Sequence, residues 1–313
     1  MKAKEFWPEF ARGSSLGLGM IPGVSAGTMA IIVGIYDKLI DSLTGLRKDF
    51  KRSWHILWPI LIGIILSCIL VLIGVHYGYK EIPFILAATF AGLVVGTMPI
   101  ITKELKGKKL GVKGITLIVI GFVIAAGIGI LNALSKIYWN LDFNQAFIDG
   151  TWWTYLACVA VGFFAALACV VPGISGSMII FICGLYNPCI NIYIGSDSIF
   201  HNHARIGSGL LLTLCVAIGA VVGLLVAAKG MKKLLADHRV VTFDVVFGFI
   251  LGSIVSIFVN SDMINENHTW IYSTTPWWMY LIGVISFLAM AFVLYYFSKK
   301  SISKAAKTSA DGQ

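Results

Sequence analysis

Pro22-Gly23-Val24-Ser25-Ala26-Gly27-Thr28, running on to Gly34-Ile35-Tyr36, is written a second time as Pro172-Gly173-Ile174-Ser175-Gly176-Ser177, running on to Gly184-Leu185-Tyr186. The copies align without a gap at an offset of 150 residues, proline to proline and tyrosine to tyrosine. Each interrupts an apolar stretch that otherwise reads as a membrane helix. Proline, glycine and serine inside such a stretch cost backbone hydrogen bonds, so their recurrence calls for a reason.

The composition around the phrase is that of a membrane protein. Of 313 residues, 58% are hydrophobic and 12% charged, where a soluble domain has about a quarter charged. Apolar runs of about 20 residues recur along the whole length, which excludes a soluble domain and implies an all-α polytopic membrane protein. The net charge is +9, but the basic residues sit in short loops between the runs. That placement speaks for topology and contact with anionic membrane lipids, not for nucleic acid. The six cysteines lie in or beside apolar segments with no CxxC pair and no Cys/His cluster, so they read as small buried hydrophobes. His201-x-His203 lacks nearby partners, and no metal site is expected.

Taken in order, the chain states one plan twice. Repeat 1, residues 1–150, has a broken stretch at about 12–46, then spans at about 55–76, 83–101 and 114–134. Repeat 2, residues 151–313, has a broken stretch at about 152–194, spans at about 206–228, 240–260 and 277–297, and a basic tail. Lysine and arginine crowd the loops at 47–52, 103–113 and 229–239 and the tail. These face the cytoplasm by the positive-inside rule, as do both termini. The loops near 77–82, 135–151 and 261–276 then face out. Aromatic pairs such as Trp152-Trp153 and Trp277-Trp278 mark membrane boundaries.

Three spans follow each broken stretch, and an odd number of crossings turns the second copy upside down. If each stretch is a re-entrant hairpin, the first enters from the cytoplasm and the second from outside. The fold expected is a pair of inverted-topology repeats, each a broken helical hairpin followed by three transmembrane helices. Full crossings in place of hairpins would give the same loop charges.

Pro-Gly stops a helix, and the helix that restarts presents unpaired N–H groups and the positive end of its dipole. Ser25, Thr28, Ser175 and Ser177 add hydroxyls, and Gly23, Gly27, Gly173 and Gly176 let a ligand approach the backbone. Such an end suits an anion, phosphate above all. Two enzyme readings compete. Gly23-Val24-Ser25-Ala26-Gly27 matches a nucleophile elbow, which needs a strand-turn-helix that this chain lacks. Gly173-Ile174-Ser175-Gly176 resembles the serine motif of rhomboid proteases, which need a histidine inside a later span. All six histidines sit at span ends or in loops, so no catalytic residue is expected. Arg12, just before the first break, is placed to meet an anionic head group. No carboxylate stands out at depth as a proton site, and the residues leave the coupling ion, proton or sodium, open. They are silent on oligomeric state.

The phrases P-G-V-S-A-G-T…G-I-Y and P-G-I-S-G-S…G-L-Y, in one chain at this spacing, resemble the polyprenyl-phosphate transporter family PopT. The resemblance spans nearly the whole chain. It implies a multi-pass plasma-membrane protein with two re-entrant hairpins in inverted repeats. It further implies translocation of undecaprenyl phosphate, returning that carrier lipid to the cytoplasmic leaflet for cell-wall polymer synthesis. One position departs: Ala26 stands where the family's first copy has glycine. The expectation is a flippase whose lipid phosphate is held by Arg12, Pro22, Gly23, Ser25, Gly27 and Thr28 with Pro172, Gly173, Ser175, Gly176 and Ser177. The alternative is a secondary transporter of a small soluble anion, and a membrane enzyme acting on lipid phosphate comes third.

Overall fold

Apolar runs of this length leave the backbone one economical solution in lipid: each N–H and C=O pairs within its own helix. The computed structural model describes residues 3–22, 24, 26, 29–30, 33–35, 38–39, 41–42, 48–105, 107, 111–139, 151–170, 175–194, 198–201, 206–259, 261–265 and 267–311, apart from the side chains of 3–5, 104, 170, 227–236 and 301–311. Helix α1 (Ala3–Gly17) continues as a 3-10 turn at Leu18–Met20. Next come α2 (Phe50–Glu81), α3 (Pro83–Gly96), α4 (Met98–Leu105) and α5 (Val112–Tyr138). The second half holds α6 (Trp152–Val170), α7 (Gly176–Ile182), α8 (Tyr186–Asn191), α9 (Ile206–Asp237), α10 (Arg239–Phe258) and α11 (Trp277–Asp311). Among the described residues, seven helical segments are long and apolar enough to cross a membrane.

Several helices outrun the spans expected from hydropathy, because hydropathy marks only the part that lipid covers. The run at about 55–76 is the middle of the 32-residue α2. Its expected outer loop shrinks to a joint at Ile82 (φ −138°, ψ 49°), since the residue before Pro83 is pushed out of the helical region. The basic loop at 229–239 is largely helix as well: α9 runs to Asp237 and turns into α10 at His238. Between α3 and α4 the chain bends at Thr97, whose hydroxyl donates to Val94 O at 2.6 Å; Pro99, lacking an N–H, prevents an unbroken helix there. The first broken stretch starts earlier than 12. Residues 1–12 read in sequence as a short, polar, amphipathic leader; from Ala3 on they belong to α1, where Phe6 stacks on Phe10 and packs on Trp58. The limb α6, at 19 residues, is long enough to cross on its own.

Helices pair in a pattern that survives exchange of the two halves. Helix α1 packs on α2 as α6 packs on α9, and α5 packs on α10 as α11 packs on α3. Each pairing is closed at glycine. A Cβ on Gly13 would lie 2.2 Å from Ile60 O, on Gly162 2.2 Å from Val216 O, on Gly248 1.9 Å from Ile118 O and on Gly92 2.3 Å from Phe287 O. Without a hydrophobic drive between helices in lipid, such close approach is a main source of cohesion.

The centre is apolar and aromatic. Phe181 of the short α7 meets Phe90 edge-on, with ring centroids 5.9 Å apart, and packs on Tyr79 and Tyr186. Phe243, Ile250 and Ile257 of α10 complete the cluster. The second broken stretch is therefore the inner filling of the bundle. Outward faces of α2, α9 and α11 expose Leu70, Leu225 and Phe292, and Trp54, Trp152 and Trp277 stand exposed near the starts of α2, α6 and α11.

Candidate functional site: the meeting of the two broken stretches

The repeated phrase repeats as structure wherever both copies are described. Ile35 N donates to Ala30 O at 2.9 Å, and Leu185 N donates to Ile180 O at 3.0 Å. Val33 N to Met29 O (2.9 Å) matches Cys183 N to Ile179 O (3.1 Å), and Leu39 N to Ile35 O (2.8 Å) matches Cys189 N to Leu185 O (3.0 Å). Gly34 and Gly184 have φ of 70° and 69°. Each is the left-handed residue of a helix stop in which an N–H reaches back five residues. The Gly-x-Tyr tail of the phrase is thus a device that ends one short helix and starts another.

The break itself joins the halves. The 3-10 turn at Leu18–Met20 ends the first limb, with Ile21 N donating back to Leu18 O, and a helix end leaves its last carbonyls to be met from outside the helix. Across from it stands Ser175, buried at 4% exposure, in extended conformation before α7. Its hydroxyl lies 3.4 Å from Gly19 O and 2.7 Å from Ser177 Oγ, while Ser177 Oγ lies 3.3 Å from the same Gly19 O. Two hydroxyls carry two protons, so only two of these three contacts are made at once. Tyr186 OH donates to Met20 O at 2.8 Å. The carbonyl end of the first limb faces the N–H end of α7, and side chains of the second phrase close the gap.

An apolar cavity of about 550 Å³ opens beside this junction. Gly19, Met20, Ser177 and Tyr186 form its polar corner, and Leu72, Ala165, Val216 and Leu224 are among its apolar walls. A neighbouring space of about 290 Å³ shares Ile180, Cys189, Tyr193 and Val216 with it. Together they follow the flank of α9, whose far side bears the exposed Val221 and Leu225.

The match to a family model runs from residue 18 to residue 274, from this 3-10 turn through both phrases to the approach to α11, and its description is VCA0040-like, undecaprenyl phosphate translocase-like. The chain belongs to that family. A polyprenyl-phosphate transporter of Vibrio cholerae serotype O1 is 26% identical over 271 residues, covering 82% of this chain and 79% of the relative. A polyprenyl-phosphate transporter of Staphylococcus aureus is 28% identical over 261 residues, covering 80% and 86%. No solved structure matches the chain significantly.

For this translocase-like protein the structure sorts the expected site residues. Ser175, Gly176 and Ser177 lie at the junction. Pro22 is buried just past the 3-10 turn, in a bend where Val24 N donates to Ile21 O at 3.0 Å. Gly23, Ser25, Gly27, Thr28, Pro172 and Gly173 lie outside the described residues. Gly176 has a packing reason: a Cβ there would lie 2.7 Å from Cys169 Sγ. Arg12 is not at the junction, and its Nη1 is 3.2 Å from Glu9 Oε1, which Lys38 Nζ also contacts. Glu9 and, in α10, Asp244 are carboxylates buried in the fold that the sequence did not single out; each is 6% exposed. A glutamate in a polar leader gives no burial signal until that leader is seen to be the first limb. Sequence reasoning also missed the carbonyls of Gly19 and Met20, which no side chain advertises. Tyr186 was within reach, since both copies of the phrase end on tyrosine. Among the described residues, the hydroxyl of Ser175 meets a carbonyl and a hydroxyl, and neither a histidine nitrogen nor a carboxylate.

Proposed function

We propose that this protein moves undecaprenyl phosphate, or a polyprenyl phosphate like it, between the leaflets of the plasma membrane, returning it to the cytoplasmic side. The observation that carries the reading is the junction: Ser175 and Ser177 meet Gly19 at the polar corner of a cavity whose other walls are apolar. A lipid phosphate has the same two-part chemistry. The phosphate would take the hydroxyls from the Gly19 carbonyl and add the N–H groups at the start of α7, with Ser25, Gly27 and Thr28 completing the site. Arg12 is the cation of the first limb nearest the tip. The first isoprene units would follow the apolar wall toward α9.

The halves act as inverted repeats in this reading. The exchange-symmetric helix pairing and the matched hydrogen bonds at Gly34 and Gly184 support it. Both termini lie in the cytoplasm, on the side of the basic loops. Rocking of one repeat on the other would open the junction alternately to each leaflet, with no covalent step and with a proton or sodium gradient as the candidate drive. A small soluble anion as cargo fits less well, because it would leave the apolar walls without a role.

The test is leaflet-to-leaflet movement of labelled undecaprenyl phosphate in proteoliposomes, with undecaprenol and inorganic phosphate in parallel. Movement of the phospholipid alone supports the reading. Uptake of inorganic phosphate without movement of the lipid transfers the site to the soluble-anion alternative.

A further inference from the structure

Glu9, Arg12 and Lys38 form a cluster away from the junction. The Glu9 side chain is 8% exposed, and its Oε1 takes both cations, Arg12 Nη1 at 3.2 Å and Lys38 Nζ. Its Oε2 is buried and makes no hydrogen bond among the described residues. A buried carboxylate oxygen left so is costly and calls for a reason. The two cations are the more open members, with side chains 39% and 44% exposed. These three side chains sum to +1, and the guanidinium meets Glu9 Oε1 through Nη1, one corner of its fork.

The cluster is one-sided. The positions 150 residues on are Val159, Gly162 and Pro188, none of them charged. Gly162 there lines the 550 Å³ cavity. Where the first half holds the Arg12 cation, the second holds a glycine at the wall of an apolar cavity. Arg12 precedes Gly19 by seven residues on one limb, about 10 Å along a helix. Lys38 stands just past the Gly34 turn on the returning limb, so Glu9 ties the two limbs together.

We infer that Arg12 and Lys38 form a second binding station for a phosphomonoester, on the cytoplasmic side of the junction, and that Glu9 is the anion that occupies it when no phosphate is there. This rests on the lipid-phosphate reading above and adds to it a relay. A phosphate passing from the Ser175–Ser177 corner displaces Glu9 from its cations and takes bidentate hydrogen bonds from the guanidinium. When the phosphate leaves, Glu9 returns and neutralises the station, so the empty protein need not hold two uncompensated cations near lipid.

The test is equilibrium binding of farnesyl phosphate to the purified full chain in detergent, with inorganic phosphate and farnesol as separate arms. Arg12→Gln and Lys38→Gln should each weaken farnesyl phosphate binding about tenfold, and Glu9→Gln should tighten it several-fold. Opposite signs are the signature, because a merely structural cluster would lose affinity in all three variants. Losses in all three, or no change in any, overturns the inference while leaving the transport reading intact. Equal affinity of the unmutated protein for farnesol and farnesyl phosphate overturns both. Equal affinity for inorganic phosphate and farnesyl phosphate, with the opposite signs kept, upholds the station and removes the lipid as its source. If Glu9→Gln does not fold to a monodisperse protein, Glu9→Asp, one methylene shorter, decides in its place: tighter binding supports the inference and unchanged binding contradicts it.

Discussion

Gly34 and Gly184, 150 residues apart, hold the same left-handed backbone conformation, with φ of 70° and 69°. Each ends a short helix in the same way, by an N–H that reaches five residues back. A sequence duplication has thus been kept as a duplicated turn. The turn keeps a backbone N–H paired where a short helix ends, which matters most where no water is present to satisfy it.

Gly34→Ala should cost about 1–2 kcal/mol, the penalty of a side chain in the left-handed region. Gly184→Ala should cost more, because its Cβ would lie 1.7 Å from Asn132 Nδ2. Asn132 is itself buried, with neither amide atom hydrogen-bonded among the described residues. Asn132→Ala alone should therefore cost little, and the double variant with Gly184→Ala should recover more than half of the glycine variant's loss. Thermal unfolding of the purified proteins reads this non-additivity directly.

The crossing of α5 and α10 makes a second expectation. A Cβ on Gly121 would lie 2.1 Å from Val245 O, and one on Gly248 1.9 Å from Ile118 O, backbone atoms that cannot swing aside. Either glycine changed to alanine should lose about 2–3 kcal/mol. Gly127, on the same α5, has nothing within 4 Å of its would-be Cβ, and Gly127→Ala should melt within a degree or two of the unmutated protein.

The cavity wall gives a third. Ala220 lies on α9 facing the 550 Å³ space. Ala220→Trp should fold, since there is room for the ring, and should slow movement of a long-chain polyprenyl phosphate about tenfold, a barrier change of about 1.4 kcal/mol. An unchanged rate would mean that the prenyl chain takes another path.

The broken stretches, six of the seven crossing segments and the duplicated phrase are written in side-chain type and spacing, and they were legible. The 150-residue offset even located the paired glycines, although nothing in the letters says that Gly34 and Gly184 are left-handed. The partner of the serines was not legible. Ser175 and Ser177 meet a main-chain carbonyl of Gly19, and a carbonyl has no letter of its own. Glu9 was hidden for another reason: it lies in a short amphipathic leader between two cations, Lys4 and Arg12, and its burial shows only once that leader is seen as α1, packed on α2. The 19-residue α6 before the break is long enough to cross by itself, and loop charge reads alike for a hairpin limb and a crossing, so its course was not legible.

The central claim is that the junction of the two broken stretches holds the phosphate, and the most direct measurement is the initial rate of undecaprenyl phosphate translocation by the Ser175→Ala/Ser177→Ala double variant in proteoliposomes. Each hydroxyl given to a charged oxygen contributes about 1.5–3 kcal/mol, so the rate should fall at least tenfold. The helices should still melt near the unmutated temperature, because only the contacts to Gly19 O and the one between the two hydroxyls are lost. A variant that is folded, correctly inserted and as fast as the unmutated protein would contradict the account.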